Sequence, residues 1–551
     1  MSNSQRRYVL NFWLSVALFL TFFCAAIHNE VFYFFFDPPF RQHPSSVVEG
    51  LAFKFKKFDD LQDAVFVPKR KISKTWNFAH GVYVADVNSD GYDDILYFYV
   101  DNDLVTQGKL LLNLRGVEFS DVTQAFGIPE LLEGERPVSA GFVDLNNDGH
   151  QDLVISFVSR KIEIAFGDGK KFSKDRGTRF FIPEGDGVAL SFFDFDRDGF
   201  VDIYAGSYAK DLANWTDSHW VRDNDCARDF LIQNKDGSYF KLAPPALGDF
   251  GTQCTYTSIA ADFDGDGFSD LFIPDDHGLD RVYKNEQGNR FRNVSSEALG
   301  FLRSRSSMGI DVADIFSQGM LSAYVTNTNE NLGLKFGMNS LWWNQSQVGK
   351  IRFEDIAIAT KTDECGYSWG ARFFDPDRNG YPDLFVSNVA DRDINHWNGR
   401  FYYAVMADLA QKIVANDSYF HTPAIDTDRT SCFFMNSGSS REPWKNLAAS
   451  AGLNTAKGVR SVAVTDFNSD GQEDLLFSFL YKEPELWQGS YTGETQWLGV
   501  RLQGSHSNRD AIGAKVKLLS GEEVQLKELV VGGSFQAQNS KSMIFGVPSR
   551  F

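Results

Sequence analysis

Short apolar runs alternate with acidic, glycine-containing loops over most of this chain. Val82-Tyr83-Val84, Ala189-Leu190-Ser191-Phe192-Phe193 and Ala463-Val464-Thr465 each lead into such a loop. Ile95–Val100, Leu153–Val158, Leu271–Ile273, Leu384–Val386 and Leu475–Leu480 each follow one. Apolar run, tight Asp/Gly loop, apolar run is the signature of a β-hairpin. A second marker, an aromatic residue, stands 22 to 25 positions ahead of the loops: Phe119, Phe172, Phe240, Phe291, Phe353 and Trp444. Two markers at fixed spacing define one supersecondary module repeated along the chain. Modules of short strands at this period predict propeller blades, each a four-stranded sheet.

The loop is a nine-residue frame, D-x-[DN]-x-[DN]-G-x-x-D. It begins at Asp86, Asp144, Asp194, Asp262, Asp375 and Asp466, and a decayed seventh copy begins at Asp314. Successive starts lie 58, 50, 68, 52, 61 and 91 residues apart, so seven blades are expected. The widest interval holds an insertion over 391–429, where Tyr402–Ala415 has apolar residues at near-helical spacing. That stretch reads as a helix packed on its own blade, or as a cap or docking element.

The N-terminus has a different pattern. Arg6 and Arg7 precede an uncharged apolar run, Tyr8–Ile27, followed by His28 and Glu30. About 20 residues at 1.5 Å each span a hydrocarbon core. The basic flank places residues 1–7 in the cytoplasm and the rest on the far side. The run is expected to be a retained transmembrane signal-anchor, with a cleaved signal peptide ending near Cys24-Ala25-Ala26 as the alternative. Residues 28–50 then form a linker, 51–490 the propeller and 494–551 a small C-terminal domain. The bulk is thus expected to be periplasmic, lumenal or at the cell surface, or secreted if the segment is cleaved.

Charge and cysteine sharpen this picture. The chain has 551 residues and a formal net charge of −19, which argues against nucleic acid as a partner. The 51 Phe residues suit β-structure. Export permits disulfides among Cys226, Cys254, Cys365 and Cys432. Three pairings are open, and sequence neighbours suggest Cys226–Cys254 and Cys365–Cys432. Asn-x-Ser/Thr sequons begin at Asn214, Asn293, Asn344 and Asn416.

The loops carry the chemistry. Calcium takes about 6 to 8 oxygen ligands at roughly 2.3–2.6 Å. Side-chain oxygens at positions 1, 3 and 5 of a tight loop converge on one centre, a backbone carbonyl at position 7 adds another, and position 9 closes the cage. The ligand sets are Asp86, Asn88, Asp90, Tyr92, Asp94; Asp144, Asn146, Asp148, His150, Asp152; and Asp194, Asp196, Asp198, Phe200, Asp202. The remaining sets are Asp262, Asp264, Asp266, Phe268, Asp270; Asp375, Asp377, Asn379, Tyr381, Asp383; and Asp466, Asn468, Asp470, Gln472, Asp474. Position 6 is always glycine because the chain turns sharply there. Varied side chains at position 7 fit a backbone ligand. Position 12, from Tyr97 to Phe477, carries no Glu, so the EF-hand is excluded. About six Ca²⁺ ions are expected. The loop at Asp314 has Phe316, Gln318 and Ser322 at ligand positions and is expected to be empty.

These loops resemble the FG-GAP/VCBS repeats, of which integrin α-subunit heads are the best-known example. The tail resembles the ASPIC/UnbV domain, through Trp497-Leu498-Gly499-Val500-Arg501-Leu502, Ser507–Val516, Val531-Gly532-Gly533-Ser534-Phe535 and Phe545-Gly546. The resemblance, shared with cartilage acidic protein and bacterial exported proteins, implies an all-β chain. It would be a seven-bladed, integrin-α-like propeller with calcium loops, a small C-terminal β domain and an N-terminal membrane-spanning helix. Cage carboxylates are committed to metal, and no HExxH frame occurs, so catalysis by the loops is not expected. Asn508-Arg509-Asp510 reads as a turn held by an Arg–Asp pair, with a ligand-facing Arg as the alternative. Trp215, Trp220 and Trp342-Trp343 read as blade filling, with sugar stacking as the alternative. The leading expectation is a binding or scaffold protein for a protein or glycan partner. An accessory subunit of a membrane complex, and an enzyme of polysaccharide or secondary-metabolite processing, follow in that order.

Overall fold

The computed structural model describes residues 45–46, 48–58, 80–101, 105–210, 225–300, 306–328, 338–391, 425–426, 430–479, 483–521 and 523–547. Tyr8–Ile27, Tyr402–Ala415, Trp215, Trp220 and the sequons at Asn214 and Asn416 lie outside these residues. Among the described residues no helix is long and apolar enough to cross a membrane.

Seven antiparallel four-stranded sheets form the blades of a propeller, one of them extended by a fifth strand. Their innermost strands are Val82–Ala85, Pro137–Val143, Gly187–Phe193, Ile259–Ala261, Ser307–Ala313, Ser368–Phe374 and Val459–Thr465, numbered here as blades 1 to 7. Each innermost strand hairpins through its Asp/Asn-rich loop into a second strand that begins at position 9 of the frame, as Asp94–Val100 and Asp474–Phe479 do. The aromatic markers fall on or beside the outermost strands, as Phe291 and Phe353 do.

The core is divided into wedges between neighbouring blades rather than pooled at one centre. Seven apolar clusters fill the seven junctions, from Phe142 against Phe98 between blades 1 and 2 to Leu476 against Val84 between blades 7 and 1. The second strands are buried on both faces, which is why Asp152–Phe157 and Asp383–Asn388 read as continuous apolar runs. Flat rings suit such wedges: Phe353 meets Phe263 at 5.4 Å and Phe291 meets Phe195 at 5.1 Å, edge-on or tilted.

The ring is closed by the N-terminal strand. Phe53–Lys57 pairs antiparallel with Glu485–Tyr491 and completes blade 7, Phe53 opposite Tyr491. Phe53 and Phe55 are buried against Phe433 and Phe374 of blade 6. Both expected disulfides form. Cys226–Cys254 joins a segment of blade 3 to the approach to blade 4, and Cys365–Cys432 ties blade 6 to its own third strand.

The C-terminal domain contributes the hairpin Lys515–Ser520/Glu523–Glu528 and the pair Gln496–Val500/Met543–Val547. Its own core is thin: Ala511, Leu529, Met543 and Phe545, with a few half-buried neighbours. A unit of this size with so little apolar burial does not stabilise itself. It is held instead through its connection, residues 531–538, which runs down the axis of the ring.

That axial segment touches every blade. Ala537–Gln538 pairs in parallel with Val82–Tyr83 of blade 1. The Gln538 amide exchanges bonds with the Phe142 backbone of blade 2, at 2.8 and 3.1 Å. Phe192 of blade 3 donates to the Val531 carbonyl, and Gly533 donates to Ser258 of blade 4. Ile310 of blade 5 and Ser534 exchange backbone bonds. Arg372 of blade 6 donates to the Ala537 carbonyl at 3.0 Å, and the Ser461 hydroxyl of blade 7 donates to Phe535. Gly533 sits at φ 77°, and a Cβ there would stand 2.8 Å from the Ile310 carbonyl oxygen, so the close approach demands glycine.

Candidate functional site

The Asp/Asn-rich loops share one hydrogen-bond scheme. In all six intact copies the carboxylate at position 1 accepts the N–H groups of positions 5 and 6. Asp86, for example, accepts from Asp90 and Gly91 at 3.0 and 2.9 Å. The N–H of position 7 donates to the side chain of position 5, as Tyr92 does to Asp90 and Gln472 to Asp470. The glycine at position 6 has positive φ throughout, from 77° to 95°. Polar side chains replace a longer ladder of backbone bonds in a turn this tight.

Position 9 has a second task. Asp202 accepts the Phe195 N–H at one oxygen and the Asn234 N–H of the third strand at the other, both at 2.8 Å. Asp94, Asp152, Asp270 and Asp474 do the same in their blades. An asparagine then carries the connection to the preceding blade. The amides of Asn113, Asn234, Asn285, Asn344 and Asn436 donate to the carbonyls of Phe467, Leu145, Phe195, Phe263 and Ile315, the second residue of the neighbour's loop. Sequence reasoning missed this role, although the spacing N-x-x-G-x-x-F recurs at Asn113, Asn234 and Asn285.

The C-terminal domain is seated on the loop face. Arg501 reaches Asp86 of blade 1 at 3.2 Å, Asp510 accepts the Asp144 N–H of blade 2 at 2.7 Å, and Lys515 pairs with Asp262 of blade 4 at 2.6 Å. Gln525 approaches Gly380 of blade 6, and the Trp497 indole lies on Gly471 of blade 7. The decayed loop of blade 5 is a docking point. Asp314 accepts the N–H groups of Gln318 and Gly319 as the intact loops do, and in addition the Leu526 N–H at 3.1 Å. Phe316 is turned into the core beside Trp343, and the Ser322 hydroxyl takes the place of the ninth carboxylate by accepting the Asn344 N–H.

Seven blades, acid-framed hairpin loops and a tail folded over them agree with what sequence comparison finds. Residues 86–155, 144–205 and 262–325 match the FG-GAP-like repeat, and 504–550 match the ASPIC and UnbV domain. The chain carries FG-GAP-like repeats and a C-terminal ASPIC/UnbV domain. A T-cell immunomodulatory protein homolog of Plasmodium yoelii yoelii is 24% identical over 329 residues, 49% of this chain and 46% of that protein. The chain therefore spans about half the length of the curated relative it matches.

Two FG-GAP-like loops gather three carboxylates with oxygens within 4.8 Å of one another: Asp194, Asp196, Asp202 in blade 3 and Asp262, Asp264, Asp270 in blade 4. Oxygens around one calcium lie no more than about 5 Å apart, twice the ligand distance, so both groups have the right span. Lysines reach the same carboxylates. Lys284 lies 2.5 Å from Asp264 and 2.6 Å from Asp266, and Lys235 lies 2.9 Å from Asp196. In the loops with asparagine at position 3, its amide bridges to position 5 instead, as Asn88 does to Asp90.

Burial makes these acids hard to ionise. It pushes the Asp94 and Asp152 carboxyls up to about 8, and Asp202, Asp270, Asp383 and Asp474 well above the usual range. Asp144, Asp194 and Asp466 are raised to about 6, again chiefly by burial. Among the described residues, two buried carboxylate oxygens of the intact loops lack a hydrogen-bond donor, Asp196 Oδ1 and Asp383 Oδ2. The second follows from sequence, since Pro376 at position 2 of that frame has no N–H to give. Orphaned carboxylate oxygens in the loop interior fit a cation.

The other candidates separate cleanly. Trp342 is buried and Trp343 packs on Phe316, so both fill the blade. Asn344 is buried, with its amide donating to two carbonyls, so this sequon is not a glycan acceptor. Asn293 is exposed. Asn508 holds a turn by bonding both the N–H and carbonyl of Ile512. Asp510 pairs with Lys541 at 2.5 Å rather than with Arg509.

Proposed function

We propose that this protein is an exported, calcium-binding FG-GAP propeller that acts as a binding or scaffold protein for a protein or glycan partner. The observation that carries the reading is the filled axis. Residues 531–538 occupy the channel and the C-terminal domain covers the loop face. Recognition then falls to the rim and to the opposite face, where the blade-connecting segments emerge. Two disulfides support an oxidising compartment. Tyr8–Ile27 would anchor the chain in the membrane. A relative named as an immunomodulatory protein homolog is in keeping with action through recognition.

Calcium belongs to this reading. Positions 1, 3, 5 and 9 of the six intact loops would supply side-chain oxygens and position 7 a carbonyl, about one ion per loop. Neutralising crowded, buried carboxylates would add to folding free energy. In blades 3 and 4 the ion would first displace Lys235 or Lys284. The test combines elemental analysis of the full chain in millimolar calcium with cross-linking and co-purification from gently solubilised membranes, and with a glycan array. Stoichiometric calcium and a partner retained at the rim are expected. Metal-free protein, or turnover of a substrate with no partner retained, would sink the reading.

A further inference from the structure

A cleft of about 390 Å³ separates the C-terminal domain from the loops of blades 1 and 2, within the size range of small-molecule sites. One wall is formed by Asp86 and Asp144, the first residues of the blade 1 and blade 2 loops. The cleft's four carboxylates are all served by donors. Asp86 accepts the Gly91 N–H at 2.9 Å and Arg501 at 3.2 Å, and Asp144 accepts the Gly149 N–H at 2.8 Å. Asp510 is paired with Lys541, and Asp93 accepts the Thr465 hydroxyl at 2.8 Å and faces Arg501 at 3.7 Å.

Arg509 is the exception. Its guanidinium lines the cleft with no hydrogen bond or ion pair among the described residues, and its Nε is shut away from solvent. The group is nevertheless held in position. Its own backbone N–H donates to the Asn147 side chain at 2.7 Å, Asn508 before it is pinned to Ile512, and Asp510 after it to blade 2 and Lys541. The guanidinium lies over Gly149, where a Cβ would stand 3.0 Å from Nε. Neighbours fixed on both sides and a free planar fork between them describe a residue aimed at a ligand. The fork matches a carboxylate or phosphate through two parallel bonds.

We propose that this cleft binds a small oxyanion-bearing ligand, carboxylate or phosphate, with Arg509 as its anchor and Arg501 at its mouth. The net charge of −19 opposes an anion at long range, so binding depends on contact inside the cleft. The site deepens the binding-protein reading and does not depend on the loops being filled with metal.

The test uses the full chain in chloride buffer, with and without EGTA, titrated calorimetrically with inorganic phosphate and separately with D-glucuronate. Saturable binding of at least one probe is expected, weakened at least tenfold in Arg509→Lys, which keeps the charge but not the fork, and largely lost in Arg509→Gln. Phosphate alone binding would identify a phosphate-bearing ligand, and glucuronate alone an acidic sugar or similar carboxylate. If Arg509→Gln does not fold, phenylglyoxal labelling of the native chain takes its place, and the bound probe should slow modification of Arg509 several-fold. No saturable binding of either probe, unaltered binding in Arg509→Gln, or unprotected Arg509 overturns the proposal. Loss of calcium binding with probe binding intact would sink the metal reading alone.

Discussion

The side-chain amide of Asn285 donates to the carbonyl of Phe195 at 2.9 Å, across 90 positions of sequence and one blade junction. The same amide also reaches the Ser269 carbonyl, while the Asn285 oxygen accepts the Gly288 N–H. One buried residue thus ties its own turn, its own loop and the neighbouring blade together. Asn285→Ala leaves two buried carbonyls without a donor, which costs about 1–3 kcal/mol each where water cannot reach. We expect a loss of about 2–4 kcal/mol by urea unfolding. Asn289→Ala, on the exposed part of the same turn, should stay within about 0.5 kcal/mol of the parent. Matching losses would mean the turn, not the junction, sets the effect.

Asp264 stands at position 3 of an intact frame and Asp314 at position 1 of the decayed one, and calcium should tell them apart. Asp314 accepts three N–H groups, one from the C-terminal domain, so Asp314→Ala is destabilising whatever the metal. Asp264 is fully buried and faces Lys284. EGTA should lower the thermal midpoint of the parent by many degrees. Asp264→Ala should fall further behind the parent in millimolar calcium than in EGTA, and Asp314→Ala should show the same deficit in both. Scanning calorimetry in the two buffers checks this, and an identical calcium response in both variants would count against metal in blade 4.

Lys284→Met addresses the competing cation. The ammonium group stabilises Asp264 and Asp266, and the two acids hold the lysine in its charged form. Without it the metal-free chain should be less stable, because two nearby carboxylates repel unscreened. Calcium no longer has to displace a bound cation, so its affinity at one site should rise. Calcium titration by calorimetry gives the answer, and an unchanged site count and affinity would show that the lysine and the ion do not compete.

Phe535 is the widest part of the axial segment and is fully buried, 4.7 Å from the Trp369 ring and 5.5 Å from Tyr256. Arg460 lies over its face at 4.9 Å. Phe535→Ala should cost about 3–5 kcal/mol, the usual price of emptying a packed aromatic site. Because the segment touches all seven blades, the propeller and the C-terminal domain should still unfold together. Tryptophan fluorescence and far-ultraviolet dichroism during urea unfolding would expose two separate transitions if the segment only rests in the channel.

What could be read in the chain was local. Each nine-residue frame declares its turn, because Asp86 bonds Asp90 and Gly91 within five positions. Cys226–Cys254 is likewise a neighbour pairing. What could not be read is carried by contacts across the whole length. Phe53–Lys57 is an ordinary apolar-polar alternation whose partner, Glu485–Tyr491, lies more than 400 residues away. Val531–Gln538 has two glycines and little strand propensity, so nothing in it announces a channel. The inter-blade asparagines were obscured by inserts: Asn285 follows Asp270 by 15 residues, but Asn436 follows Asp383 by 53.

Arg372 and Asp311 form a buried ion pair at 2.8 Å that joins blades 5 and 6, and the same guanidinium donates to Val462 of blade 7 and to Ala537 on the axis. Burial already holds the Asp311 carboxyl above its ordinary range, with Arg372 and the Phe373 N–H pulling the other way. Arg372→Met removes the main opposing group, so the carboxyl rises further. A group whose folded pKa exceeds its unfolded value gives stability that is complete below the unfolded pKa and is lost as pH climbs through the folded one. The variant should therefore lie about 3–5 kcal/mol below the parent at pH 8, where the buried carboxyl has lost its partner, and recover part of that loss at pH 5. Adding Asp311→Asn should flatten the pH dependence without restoring the bonds to Val462 and Ala537. Urea unfolding at the two pH values decides it, since an equal deficit at both would mean that lost packing, not stranded charge, explains the damage.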